Sequence, residues 1–146
     1  MIRTTAFLLL SLSLAPAAIA AEVEFKNPDS FKQLNLPFSE AVRVDDLLFL
    51  SGQLGNKPGG LGLVEGGIGP ETKQTMENIK NVLIRNKLGL DRVVKCTMFL
   101  DDIDDWPAAN EVYKSYFTTN PPARSSIATG GLALGAKIEI ECIAAY

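Results

Sequence analysis

The sequence contains no histidine, and cysteine accounts for only two of its 146 residues. Without histidine, Ser-His-Asp and Cys-His catalysis are excluded, as are the usual histidine-based catalytic zinc sites. The two cysteines, Cys96 and Cys142, cannot form a site of four thiolates. Any acid–base chemistry must therefore use carboxylates, lysine, tyrosine or bound water.

The chain also lacks a cluster of lysine and arginine residues, and its formal net charge is −3. Proteins that bind nucleic acids through the phosphate backbone need a basic surface. We therefore predict that nucleic acid is not a partner of this protein.

Long apolar runs are absent as well. The run over residues 6–14 is too short to span a bilayer. It follows Arg3 and precedes Pro16 and the small-residue pattern Ala18-Ile19-Ala20, which is the arrangement of a secretory signal peptide. We predict a signal peptide over residues 1–20 and a single domain over residues 21–146, periplasmic or secreted and without membrane contact after cleavage. An uncleaved N-terminal anchor is the alternative. Loss of Arg3, the only charge in the removed segment, would change the net charge from −3 to −4.

Two short apolar runs separated by Asp45-Asp46 predict a β-hairpin. A helix is predicted over residues 70–88, because Pro70 suits a first turn, apolar residues recur at helical spacing and Gly89 supplies a stop. The segment "RVVKCTMFL" follows as a strand, with Val94, Cys96 and Met98 predicted on one face.

A second helix is predicted to begin near Asp105, an acceptable N-cap just before Pro107. The acidic residues that precede it could suggest calcium, but they lack the glycine and the distant glutamate of an EF-hand loop. Helix capping and solvation explain them better. The last two strands are "ARSSIAT" and "KIEIECIAAY". In the second of these, Glu139 and Glu141 alternate with Ile138, Ile140 and Cys142.

The order hairpin, helix, strand, helix, strand, strand predicts an α+β fold: a mixed sheet with two helices packed on one face. The opposite face would carry Glu139 and Lys95. A sheet face that no helix covers is often buried by self-association. Cys96 and Cys142 both fall on core-facing positions. A disulfide formed in an oxidising compartment and two buried free thiols are both open alternatives.

Arg124 stands where the chain turns into a strand, within "NPPARSSIATG". A guanidinium is rarely buried without an anionic partner. A hairpin of the last two strands would bring Arg124 near Glu139 at one end of the sheet. The pair is then either a structural ion pair or a carboxylate clamp beside a general base.

The segment "PARSSIATGGLALGAKIEI" resembles the signature of the RidA/YjgF family. The resemblance extends through "LPFSEAVRVDDLLFLSGQL", "TKQTMENIKNVL", "VVKCTMFLDDIDDW" and "NEVYKSYF", over residues 35–146. It implies a chorismate-mutase-like α+β fold and a homotrimer with sites between subunits. The implied activity is hydrolysis of reactive enamines and imines, such as 2-aminoacrylate and 2-iminobutanoate, to 2-keto acids and ammonia. It also implies that no metal or organic cofactor is needed.

The resemblance further implies a role for each site residue. Arg124 would bind the carboxylate of a small 2-imino or 2-keto acid, and Glu139 would position the attacking water, with Glu141 as the competing base. The residues expected to hold the substrate or line the cleft are Ser125 and Ser126, through their backbone, and Phe38, Ser51, Gly52 and Asn110.

The chain departs from the family pattern at three positions. Phe38 replaces the usual tyrosine, Glu40 a usual glutamine, and Ser126 a frequent cysteine. These departures suggest a shifted substrate preference or weak deaminase activity. The alternative function is a non-catalytic trimer that binds small carboxylates through Arg124. An RNA-cleaving or translation-inhibiting protein is a third possibility, which the acidic charge and the predicted export disfavour.

Overall fold

A computed structural model of the protein describes residues 20–146. The predicted cleavage after Ala20 falls at the edge of this range, and the rest of the predicted signal peptide lies outside the described residues. Among the helices described, none combines the length and apolarity that a membrane crossing requires. The strands and helices are β1 (Val23–Lys26), α1 (Asp29–Lys32), β2 (Ala41–Val44), β3 (Leu47–Leu50), α2 (Ile68–Arg85), β4 (Val93–Leu100), α3 (Trp106–Lys114), β5 (Ala123–Ala128) and β6 (Ile138–Ala145).

The six strands form one mixed sheet in the order β1-β2-β3-β6-β4-β5. Strands β4 and β5 are parallel, and the other neighbouring pairs are antiparallel. The predicted hairpin is present as β2 and β3, and Asp45 adopts a left-handed φ of 49° in its turn. Aspartate tolerates this conformation better than most residues. Strand β1, which pairs with β2, was not predicted.

The predicted hairpin of the last two strands is wrong. Strand β4 lies between β5 and β6 and pairs with both. Strand β5 is therefore the edge of the sheet, and the parallel β4–β5 pair is connected through α3.

Both long helices cover the same face of the sheet, as predicted. Apolar residues of α2, among them Met76, Ile79 and Leu83, join buried residues of β4 and β6 in one core. Helix α3 adds Ala109 and Tyr113 to this core. Helix α2 begins and ends earlier than the predicted 70–88. The side-chain cap lies at Asp102 rather than Asp105, because the Asp102 carboxylate accepts a hydrogen bond from the backbone of Asp104 in a 3₁₀ turn before α3.

The opposite face carries Glu139 and Lys95, as predicted, but it also exposes apolar side chains. The strand register places five of these apolar side chains on this face: Val23, Phe25, Leu47, Phe49 and Ile127. Phe25 is 70% exposed. Cys96 and Cys142, which face the helices from neighbouring strands, are joined by a disulfide.

Candidate functional site

Arg124 lies on edge strand β5 and points toward α3. Its partner in the β4 register is the buried Cys96, so the two side chains share the helix-covered face. The Arg124 Nη2 donates a hydrogen bond of 2.8 Å to Oδ1 of Asn110. Its guanidinium carbon lies 4.6 Å from the centroid of the Tyr113 ring and 5.9 Å from that of Trp106. An amide and two aromatic rings of α3 therefore hold the cation in place.

No carboxylate within residues 20–146 forms an ion pair with Arg124. The hydrogen bond to Asn110 is also the only one that its side chain makes within this part of the chain. Its Nε and Nη1 donors are therefore available to a ligand. The structural Arg124–Glu139 ion pair, one of the two readings of the sequence, is not formed.

Arg124 and Glu139 lie apart within one chain. Across the sheet, Arg124 pairs with Cys96 of β4, whereas Glu139 pairs with Phe99, three residues further along the same strand. With β4 between them, the two residues are separated by about 10 Å along the strands and about 10 Å across them. Glu139 also alternates with the buried Ile138 and Ile140, so it points to the opposite face of the sheet.

Glu139 lies directly against Gly52. A Cβ atom built on Gly52 would be 1.8 Å from the Oε1 of Glu139, so only glycine leaves space for this carboxylate. An irregularity in the register produces the contact. Phe49 pairs with Ile143, and Gln53 pairs with Ile140. From the first pair to the second, the segment that continues β3 advances by four residues, whereas β6 advances by only three. The extra residue is a β-bulge, a feature that commonly re-aims side chains beside functional sites.

The pKa of Glu139 is raised above its usual value, mainly because the carboxylate is partly buried and also because Glu141 is a negative neighbour. A carboxylate with a raised pKa is a stronger base once it is ionised. Glu141 is exposed on the same face, two residues along β6. The burial and the Gly52 contact distinguish Glu139 from its competitor.

Ser51 precedes Gly52 in the chain and lines a cleft together with Phe38. The Ser51 hydroxyl donates a 2.6 Å hydrogen bond to the carbonyl of Ser39. The Phe38 ring packs edge-on against Phe31, with 5.9 Å between centroids, and remains 51% exposed. Phe38 and Gly52 line one cavity of about 430 Å³. We call Phe38, Ser51, Gly52 and Glu139 the Glu139 cluster.

The two serines after Arg124 point in opposite directions. Ser126 pairs with the buried Met98 and faces the helices, as Arg124 does. Ser125 lies on the open face, where its hydroxyl accepts a 2.8 Å hydrogen bond from Lys95. Because β5 is an edge strand, part of its backbone has no partner strand and can bind a ligand or another subunit. We call Asn110, Arg124 and Ser126 the Arg124 cluster.

Sequence reasoning missed two features around these clusters. Tyr113 and Trp106 were not predicted to contact Arg124, although they lie three and four residues from Asn110 on one helix, a spacing that gives a shared face. The partner of Glu40 was also not predicted. The structure pairs this carboxylate with Arg85, at 2.5 Å from Oε1 to Nη2. Within the described part of the chain, no group of three or more acidic or cysteine side chains is placed to hold a metal ion.

Residues 31–146 match the family model described as Endoribonuclease L-PSP. The chain belongs to this family. It is 47% identical to Protein HMF1 of Saccharomyces cerevisiae over 108 residues, which cover 74% of this chain and 83% of that protein. It is 42% identical to a human protein named 2-iminobutanoate/2-iminopropanoate deaminase, over 74% of this chain and 79% of the human one.

The fold agrees with solved structures of this family. The crystal structure of RidA from the Antarctic bacterium Psychrobacter sp. PAMC 21119 matches with a TM-score of 0.73 at 33% sequence identity. The match covers 76% of this chain and 89% of the RidA chain. The resemblance to the RidA/YjgF family and the α+β fold that it implied are both confirmed.

The predicted periplasmic or secreted location is wrong. A relative from Schizosaccharomyces pombe, 45% identical over 75% of this chain and 87% of its own, is named as a mitochondrial protein. The match to the family begins at residue 31, so the leader that suggested export lies outside it. Leaders poor in acidic residues also occur in organelle-targeting peptides, and the leader's composition therefore does not decide the compartment.

Proposed function

We propose that this protein hydrolyses small 2-imino acids, and the enamines in equilibrium with them, to 2-keto acids and ammonia. The observation that carries the proposal is the state of Arg124: a guanidinium held by Asn110 and Tyr113, with no carboxylate partner within residues 20–146. The names of relatives at about 40% identity support imine deamination as an activity of the family.

Arg124 binds the substrate carboxylate in this proposal. Its Nε and Nη1 can donate two parallel hydrogen bonds, the geometry in which arginine binds carboxylates best. The stacking on Tyr113 and the bond to Asn110 fix the plane of the guanidinium beforehand, which lowers the entropy lost on binding. Unpaired backbone groups around Ser125 and Ser126 contribute further hydrogen bonds to the substrate.

Glu139 acts as the base for the attacking water. The substrate reacts as its N-protonated iminium form: as the water oxygen bonds to C2, the C2–N π electrons move to nitrogen and Glu139 accepts one of the water's protons, giving a neutral carbinolamine. Glu139 then returns that proton to the nitrogen, the C2–N bond breaks and ammonia leaves. As the C2–O bond becomes a carbonyl, Glu139 accepts the hydroxyl proton and releases it to solvent. Partial burial of Glu139, which raises its pKa, favours this exchange of protons. Neither a metal nor an organic cofactor is required.

The active site is shared between subunits of a homotrimer. The separation of the two clusters within one chain supports this arrangement, because neither cluster alone contains both the carboxylate-binding residue and the base. The exposed Phe25 and Ile127 on the uncovered sheet face give an apolar surface for the association. In a cyclic trimer, the Arg124 cluster of one subunit can face the Glu139 cluster of the next.

A coupled assay tests the function. An amino-acid oxidase with catalase generates the imine, and keto-acid release is compared with the spontaneous rate. Glu139→Gln should lower the enzyme-catalysed rate by about 10² or more, because an amide cannot accept the proton. Arg124→Ala should instead weaken the binding of 2-keto acids by roughly 2 to 4 kcal/mol.

The outcome separates catalysis from binding alone. If the wild-type protein accelerates no imine yet binds 2-keto acids through Arg124, it is a carboxylate-binding protein. If Glu141→Gln abolishes turnover while Glu139→Gln does not, Glu141 is the base. Both variants must keep the wild-type mass in light scattering, for which we expect a single trimeric species.

A further inference from the structure

The cavity beside Gly52 has no role in the chemistry described above. It has a volume of about 430 Å³, within the range of small-molecule sites. Its walls come from the segment before β2, the loop after β3, and α2. Most of its lining is apolar; six of the residues are Phe31, Leu34, Leu36, Phe38, Leu54 and Leu61.

We propose that this cavity receives the side chain of the substrate, and that the protein therefore prefers 2-imino acids with large apolar side chains, such as those derived from leucine or phenylalanine. This inference rests on the proposed function. Gly52 connects the two sites: it lines the cavity and it also contacts the Glu139 carboxylate. The proposal places C2 of the substrate beside Glu139 and its side chain past Gly52, in the cavity.

Several polar groups at the cavity are already paired, which suits an apolar occupant. Glu40, only 6% exposed, is bound by Arg85 through two hydrogen bonds of 2.5 and 3.3 Å. The amide nitrogen of Asn78 donates to the carbonyls of Leu54 and Asn56, at 2.9 and 3.0 Å. The ligand therefore need not supply a charge to Glu40. Lys57 and Asn81 also line the cavity, so its lining is mainly but not wholly apolar.

The same hydrogen bonds hold the wall of the cavity in position. Asn78 fastens the loop after β3 to α2, and Asn56 donates a 2.7 Å hydrogen bond to the carbonyl of Leu61 within that loop. A pre-formed wall lowers the entropy lost on binding. Phe38 adds to the apolar lining a phenyl ring that carries no hydroxyl.

The test compares imines derived from alanine, leucine and phenylalanine. Each additional buried methylene group favours binding by about fourfold. The kcat/KM for the leucine-derived imine should therefore exceed that for 2-iminopropanoate by about tenfold or more. Leu61→Trp, which places a larger side chain at the cavity wall, should reduce the leucine-derived rate about tenfold more than it reduces the 2-iminopropanoate rate.

Ile84→Trp is the matched control. Ile84 is exposed on α2 and does not line the cavity, so the same type of substitution there should change neither rate. Binding of 4-methyl-2-oxopentanoate and pyruvate, measured by calorimetry, gives a readout that does not depend on turnover. Leu61→Trp should weaken the binding of 4-methyl-2-oxopentanoate more than that of pyruvate.

The two proposals fail in different ways. Absence of turnover with every imine contradicts the proposed function. Turnover of 2-iminopropanoate at a rate equal to or above that of the larger imines contradicts the cavity assignment alone. Equal effects of Leu61→Trp on all substrates and both keto acids also contradict it.

Discussion

The carboxylate of Glu139 lies in the space that a side chain at position 52 would occupy. A Cβ atom on Gly52 would approach Oε1 to 1.8 Å and the carboxyl carbon to 2.6 Å. Contacts this short require one of the groups to move. Position 52 therefore determines where the proposed catalytic base points.

Gly52→Ala should displace the Glu139 carboxylate and lower kcat by about 10² with a smaller change in KM, since a base moved by about 1 Å loses its alignment with the water. Steady-state kinetics with a 2-imino acid measures the separate effects on kcat and KM. Gly62→Ala is the control, because a Cβ there has no neighbour within 4 Å. Wild-type kcat for a folded Gly52→Ala trimer would show that the position of Glu139 does not limit the reaction.

The activity should fall as the pH drops through the pKa of Glu139. Glu139 must be ionised to act as a base, and its pKa lies above the usual 4.5 because of burial and of the neighbouring Glu141. Glu141→Gln removes the negative neighbour, which lowers the pKa of Glu139. The acid limb of the kcat/KM profile should then move to lower pH.

Glu65→Gln, in an exposed loop, is the control for a general effect of charge. Its profile should match that of wild type. A limb that moves to higher pH in Glu141→Gln, or that does not move at all, would exclude Glu139 as the titrating base.

Tyr113 should act on binding through its ring rather than its hydroxyl. The hydroxyl is buried without a hydrogen-bond partner in the described structure, and burial raises its pKa to about 12 although the Arg124 guanidinium opposes the shift. Tyr113→Phe keeps the ring under Arg124 and removes an unsatisfied group, so the free energy of unfolding should rise by about 1 kcal/mol with KM unchanged. Tyr113→Leu removes the stacking and should raise KM by about threefold or more. Chemical unfolding and steady-state kinetics measure the two effects. A raised KM in Tyr113→Phe would mean that the hydroxyl contacts the substrate.

Reduction of the Cys96–Cys142 disulfide should destabilise the protein. The bridge links residues 46 apart in sequence, and a loop of this length corresponds to about 4 kcal/mol of stabilisation in the chain-entropy account. Urea unfolding with and without a reductant measures the difference. The double variant Cys96→Ala, Cys142→Ala should not respond to reductant. If both thiols of unfolded wild-type protein react with an alkylating agent before any reductant is added, no disulfide is present.

The sequence predicted the elements that depend on local patterns. The stripe of α2 and the Asp45-Asp46 turn were sufficient to predict a helix and a hairpin close to those observed. Val94 was assigned to the buried face with Cys96, but it is exposed. A register shift between Val93 and Lys95 turns Val94 outward and buries Val93. A single irregularity in strand pairing changes the sheet face on which a side chain lies, and the alternation of apolar and polar residues in the sequence does not reveal it.

The candidate site was predictable as a set of residues and not as an arrangement. The family signature identified Arg124 and Glu139, but their faces depend on β4 lying between β5 and β6. Strand order is decided by pairings between residues distant in sequence, which short-range patterns do not encode. The Glu40–Arg85 ion pair, 45 residues apart, was missed for the same reason.

Mixing two inactive variants tests the central claim most directly. Arg124→Ala keeps the base and Glu139→Gln keeps the carboxylate-binding residue. Subunits of the two are dissociated, mixed in equal amounts and reassembled, and imine hydrolysis is measured. In randomly assembled cyclic trimers, about one quarter of the clefts would pair an intact Arg124 with an intact Glu139 from the neighbouring subunit. We predict recovery of up to about 25% of wild-type activity, and none from either variant reassembled alone. Mixed trimers that remain as inactive as their parents, while reassembled wild-type protein regains full activity, would contradict a site shared between subunits.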